Sequence, residues 1–288
     1  MSIWWRIPAL VRAVATGLFV GGLGTLAWAR LVSANIKVLP TIPWATPAMA
    51  LILVAWWLYF AKGRGWPDAT AESRRRCARA NRVPEHLWGQ ALGTGALGLL
   101  ATLLLQGVLG RLVVLPQQRE IDPSQYPLLT VFAWVVTSAA VSGVVEETAF
   151  RGYIQGGIER RHGIATAILV TGSLFGLIHF THPEVGLVLL PYYLAVSTVY
   201  GLLAAATNST YPSMVLHAGG NAFSAFSLLT HGRSEWQLTA VPQPTIWQSG
   251  VDSSFWVNLA MLAIAGVAAA LAYRELFRAS AAATPAPN

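Results

Sequence analysis

Long apolar runs, broken by short polar stretches, follow one another along almost the whole chain. A helix needs about 20 mostly apolar residues to cross a bilayer. By that measure residues 10–29, 43–61, 88–110, 128–150, 164–181, 185–207, 211–229 and 253–273 are candidate spans. The pattern predicts an all-α fold, a polytopic transmembrane helix bundle of about eight spans. The charged block from Lys62 to His86, with RRRCAR at its centre, is the longest loop on one side. Residues 1–280 read as a single integral membrane domain, and 281–288, small and Pro-rich, as a disordered tail.

The fourth run needs a closer reading. LLTVFAWVVTSAAVSGVV has no ionisable group, and then comes Glu146-Glu147-Thr148-Ala149-Phe150-Arg151-Gly152. If the helix stopped at Phe150, both glutamates would sit at the membrane rim. FRGYIQGGI continues without proline, however, and the next charge cluster is Glu159-Arg160-Arg161. A helix reaching about residue 158 places Glu146 roughly 18 Å from that end, near mid-membrane, at about 1.5 Å per residue.

Composition agrees with a lipid solvent. Charged residues are 11% of the chain and hydrophobic residues 55%, with mean hydropathy +0.52; soluble domains carry roughly 25% charge. The single cysteine, Cys77, excludes an internal disulfide and a Cys-rich metal cluster. The net charge of +7 does not point to nucleic acid, because the basic residues lie in loops between apolar runs. With eight spans they fall mostly on the side of both termini, and only Arg30, Lys37, Arg111, Arg119 and Arg233 fall opposite. The positive-inside rule then makes both termini cytoplasmic. WARLVS is a poor signal-peptide cleavage site, so the first run reads as a retained helix. The compact length suggests the cytoplasmic (inner) membrane of a prokaryote.

An ionised group at the bilayer centre costs about 2.5–3.5 kcal/mol on insertion scales and is a functional hypothesis by default. Such groups concentrate on three runs: Glu146, Glu147 and Arg151; His179; and His217 with Asn221. Glu147 and Arg151, four apart, can pair on one face. Glu146 is turned about 100° away on an α-helix and can face something else. His217 and Asn221 repeat the four-residue spacing, as do Phe175 and His179, and Gly172 and Gly176 leave room for a neighbouring helix. A desolvated glutamate can act as general base toward water. His179 could orient that water, and His217 and Asn221 offer N–H donors to an oxyanion. Alternatively, Glu146, His179 and His217 could hold a catalytic zinc. HExxH and GxSG motifs are absent. Gly93-x-Gly95-x-x-Gly98 reads as helix packing rather than a dinucleotide fingerprint, and His182 with Glu184 as a polar span exit.

The motifs EExxxR at Glu146–Arg151, FxxxH at Phe175–His179 and HxxxN at His217–Asn221 resemble those of the CPBP group of intramembrane endopeptidases. This group takes in the CAAX-prenyl-protease, bacteriocin-processing and Abi proteins, and the likeness spans about residues 128–229. The resemblance implies a polar cavity within a helical core, and proteolysis by activated water. It implies Glu146 as base with His179 as partner, His217 and Asn221 as the oxyanion pair, and Glu147 with Arg151 as a structural pair, beside Phe175. The group has been described both as zinc proteases and as metal-independent glutamate proteases. The metal-independent form is favoured here, because every residue has a role without a metal and no fourth ligand is evident. Expected partners are membrane lipids and a protein or peptide substrate, lipidated or carrying a C-terminal membrane anchor. Two other readings stand beside this one. The motifs could be kept for packing in a non-enzymatic immunity or scaffold protein, or Glu146 and His179 could relay protons in a transporter.

Overall fold

The computed structural model describes residues 6–114, 123–179, 187–231 and 244–283, and no strand occurs among them. The helices are α1 Ala9–Val38, α2 Ala45–Phe60, α3 Ala71–Ala78, α4 Glu85–Leu112, α5 Leu128–Val141, α6 Gly156–Ile178, α7 Leu190–Thr207, α8 Tyr211–His231, α9 Ile246–Ser249 and α10 Ser253–Ala283. Between α5 and α6 the backbone stays helical but widens into two π-helical segments, Ser142–Glu146 and Thr148–Gln155. The first interruption comes at Gly163, whose φ of 78° breaks α6 into two pieces. The helix bearing the glutamates therefore runs past residue 158, as the sequence predicts.

The all-α membrane architecture is as expected. Ala9–Val38, Glu85–Leu112, Leu128–Ile178, Leu190–Thr207 and Ser253–Ala283 are long and apolar enough to cross a membrane. Ala45–Phe60 is a shorter apolar helix. The motif residues His182 and Glu184 lie outside the described residues, as does the end of the tail from residue 284.

The chain forms two compact units. The first comprises Met1–Asn81, Glu120–Ala167 and Ser213–Trp236. In it α1 packs along the π-helical segments through a face without side chains. A Cβ on Gly24 would come within 2.7 Å of Val145, and one on Gly17 would overlap Ile154. Asn35 ties the end of α1 to its neighbours. Its Nδ2 donates to the Leu39 and Ile42 carbonyls, and its Oδ1 accepts from the Ala45 amide and the Trp134 indole. Every hydrogen-bonding site of that buried amide is satisfied, which removes most of the cost of burying it.

The charged block does more than signal topology. Arg74 is buried and donates to the carbonyls of Tyr59, Gly63, Gly65 and Pro67 and to Thr70 Oγ1, with its guanidinium over the Tyr59 ring. The loop after α2 is thus folded around one cation. Arg79 ends α3 in the left-handed region (φ 53°) and forms a two-pronged bond to Glu159 at 2.8 and 3.0 Å. Tyr153 donates to the Phe60 carbonyl at 2.9 Å, and a Cβ on Gly152 would lie 2.6 Å from the Ala78 carbonyl. The basic segment is therefore docked on the helix that carries the glutamates.

The second unit comprises Arg82–Arg119, Ile168–Pro212 and Gln237–Asn288. Here α4, α7 and α10 pack together. Gly98 abuts Val199, where a Cβ would lie 2.8 Å from a Val199 methyl, and Tyr273 donates to the Val199 carbonyl at 2.8 Å. α7 fills the step left by Gly172 and Gly176, with Ser197 against the first and Leu190 against the second. Asp252 starts α10 by accepting from the Phe255 amide and Ser254 hydroxyl, while its other oxygen accepts from Arg111. The Arg111 bonds, then those two caps, push the Asp252 carboxyl down to about 2. Its unfolded value is about 3.9. The ionised carboxylate thus stabilises the fold fully above about pH 4, and that contribution is lost as pH falls through about 2. Solvent exposure keeps it small. Asp252→Asn should flatten the acid limb of the melting temperature between about pH 4 and 2, read by thermal unfolding in detergent. An unchanged limb would contradict this role for the pair.

Candidate active site

The π-helical segments are where the polar residues gather. Wide turns of this kind occur mostly as short bulges in α-helices, often at functional sites. Here two hydroxyls bond back into the helix, as Ser and Thr do within helices. Ser142 Oγ donates to the Ser138 and Ala139 carbonyls at 3.0 and 3.2 Å, and Thr148 Oγ1 donates to the Val144 carbonyl at 2.7 Å. Both glutamates reach toward α8, Glu147 to one ring nitrogen of His217 and Glu146 toward the other.

Glu147 and Arg151 are fully enclosed, at 0% side-chain exposure, with Arg151 Nη1 3.0 Å from Glu147 Oε1. That is the expected ion pair. The same oxygen accepts from His217 Nδ1 at 2.8 Å, and the Ser213 hydroxyl lies beside the carboxylate. A carboxylate can only accept, so His217 carries a proton on Nδ1 and turns Nε2 outward. Nε2 stands 3.9 Å from Glu146 Oε2. His217 is thus bracketed by the two glutamates, held by one and facing the other. Glu146 keeps 17% of its side chain exposed, unlike the sealed Glu147.

One turn further along α8, Asn221 Nδ2 donates to Ser142 Oγ at 2.6 Å. The two helices therefore pair antiparallel, 217 against 146 and 147, and 221 against 142. Gly143 makes this approach close enough, since a Cβ there would lie 2.7 Å from the Ala218 Cβ and 2.9 Å from both the Ala218 amide and the Met214 carbonyl. Two of those three obstacles are backbone and cannot rotate away. Gly143→Ala should push α8 off the glutamates and lower both melting temperature and any activity of this site. Wild-type values for both would show that the helices do not need this contact.

Phe175 and His179 belong to the second unit. His179 Nδ1 lies 2.6 Å from the Phe175 carbonyl, which only accepts, so Nδ1 is the protonated nitrogen and the neutral ring has its lone pair on Nε2. The imidazole stacks on Tyr193 at 4.5 Å and 26° and contacts the Phe175 ring at 4.7 Å. The first unit thus assembles Glu146, Glu147, Arg151, His217 and Asn221, with Ser142 and Ser213 added, and the second holds His179 between Phe175 and Tyr193. Ser142 was legible in principle. Ser142 and Glu146 have the same four-residue spacing as His217 and Asn221, so antiparallel helices would set 142 opposite 221.

For the zinc alternative, only Glu146 and His217 come together within the first unit. Among the described residues no group of three or more His, Cys, Asp or Glu side chains is arranged to hold a metal ion.

Residues 128–223 match the family described as Rce1-like, type II CAAX prenyl endopeptidase Rce1-like. The expected resemblance to the CPBP group holds over this segment, which contains all three motifs. The matched family is one of proteases, and with the apolar helices it marks the chain as a membrane protein. No curated protein and no solved structure matches.

Proposed function

We propose that this protein is an intramembrane endopeptidase that hydrolyses a peptide bond in a membrane-associated or exported substrate. The observation that carries the reading is the bracket Arg151–Glu147–His217–Glu146, which ends in one carboxylate without a cationic neighbour on its own helix face. The Glu146 carboxylate takes a proton from water, and the hydroxide oxygen bonds to the substrate carbonyl carbon. Charge develops on the carbonyl oxygen, to which Asn221 Nδ2–H donates, joined by His217 Nε2–H when the ring is an imidazolium. The C–N bond then breaks, and the proton held by Glu146 passes to the leaving amine. His179, with its Nε2 lone pair, keeps the role of orienting the attacking water that the family resemblance implies. Glu147, paired with Arg151, accepts from His217 Nδ1–H and holds the ring with Nε2 toward Glu146, the orienting task of the third member in a triad.

The setting is the inner membrane of a prokaryote with both termini cytoplasmic. The substrate is a protein with a lipidated C-terminus or a C-terminal membrane anchor. The test is cleavage by the purified protein in nanodiscs of peptides carrying either feature, with new termini read by mass spectrometry. Cleavage of one class and not of soluble controls is expected, and an intact panel in the presence of folded protein would overturn the proposal. Strong chelators should leave the rate unchanged. Loss of activity that stoichiometric zinc restores would replace the glutamate mechanism with the zinc one.

A further inference from the structure

The contact between Ser142 and Asn221 has no place in the motifs, and its polarity is informative. The Ser142 hydroxyl hydrogen is directed to the carbonyls of its own helix, Ser138 and Ala139. Its oxygen is left as an acceptor, so the group of Asn221 that approaches to 2.6 Å must be the amide nitrogen and not the amide oxygen. An asparagine side chain turned by half a rotation presents a carbonyl in place of an N–H. Toward a developing oxyanion that exchange replaces attraction by repulsion.

We propose that Ser142 is a positioning residue for the hydrolytic reaction, one that fixes which end of the Asn221 amide is presented over the turn bearing Glu146. The inference rests on the endopeptidase reading above. Three observations support it. Ser142 lies one helical turn before Glu146, so an amide nitrogen bonded to it sits above the same wide segment. Ser138, whose carbonyl accepts from Ser142, is itself held through its hydroxyl by the Trp28 indole at 2.7 Å, which anchors the acceptor end to α1. Gly143, the next residue, brings α8 so close that the amide cannot back away without moving backbone. The serine touches neither water nor substrate in this scheme and acts only through Asn221.

The test uses four full-length variants in nanodiscs with a substrate that the wild type cleaves. Ser142→Ala should lower kcat by about 10–100-fold, with KM little changed, since a small misplacement of a catalytic group costs about that much. Ser142→Thr keeps an acceptor oxygen at the same position and should recover most of the rate. Asn221→Ala should cost about 10²–10³-fold, as loss of one oxyanion donor does. The double variant Ser142→Ala/Asn221→Ala should be no slower than Asn221→Ala, because the serine has nothing left to orient. Additive losses, or a Ser142→Ala rate equal to wild type while Asn221→Ala is impaired, would overturn the role of Ser142 and leave the endopeptidase reading in place. Full activity of Asn221→Ala would instead remove the oxyanion role and this inference with it. A melting temperature unchanged in Ser142→Ala separates positioning from folding.

Discussion

Glu146→Gln is expected to lower peptide cleavage by about 10²–10⁴-fold, the usual contribution of a positioned general base, while leaving the protein folded and inserted. The substitution keeps shape and removes only the basic oxygen. It also leaves the sealed part of the network untouched, because Arg151 and His217 Nδ1 are both held by Glu147 and not by Glu146. Glu146 is partly exposed, with His217 Nε2 3.9 Å from its carboxylate, so little folding energy depends on it. Cleavage at the wild-type rate by Glu146→Gln would sink the glutamate-base mechanism. An equal loss of melting temperature would show that Glu146 is part of the scaffold.

Glu147 should behave in the opposite way. Glu147→Leu leaves the Arg151 guanidinium fully buried without its counter-charge, and breaking one side of a buried pair costs about 3–5 kcal/mol. It also removes the acceptor for His217 Nδ1, so activity should vanish together with stability. The informative variant is the double one. Glu147→Leu/Arg151→Met replaces the ion pair with apolar side chains and should regain much of the lost stability, since such replacements are often neutral. It should remain inactive, because nothing then holds the His217 ring with Nε2 toward Glu146. The two outcomes are read by thermal unfolding in detergent and by the nanodisc cleavage assay. A stable and active double variant would mean that the bracket serves packing alone.

Much of this architecture could be read before any coordinates. The apolar runs located the helices, since a membrane leaves the backbone no other economical way to satisfy its hydrogen bonds. The pairing of Glu147 with Arg151 followed from four-residue spacing, and the extension of the fourth helix from the absence of proline before the Glu159-Arg160-Arg161 cluster. The connection of Glu147 to His217 did not follow, because it depends on which face of α8 meets which face of the glutamate helix across some seventy positions of chain. Nor did the wide turns, whose cause is a sum of small terms: hydroxyls bonding back at Ser142 and Thr148, and bare glycine faces on α1 and at Gly143. The basic segment was the least legible part. RRRCAR reads as a solvated topology signal, yet Arg74 and Arg79 spend their donors inside the protein, on loop carbonyls and on Glu159. Composition cannot separate an arginine that faces water from one that organises a loop.

The wide turns between Ser142 and Gln155 also constrain how the chain can change in length. An α-helix advances by about 100° for each residue. Deleting one residue while the wide turns keep their width would swing everything beyond it by roughly that angle relative to α5. Hydropathy would be almost unaltered and insertion into the membrane would proceed, but Glu147 and Arg151 would no longer lie in register with His217. This stretch of uninterrupted helix cannot spare one residue.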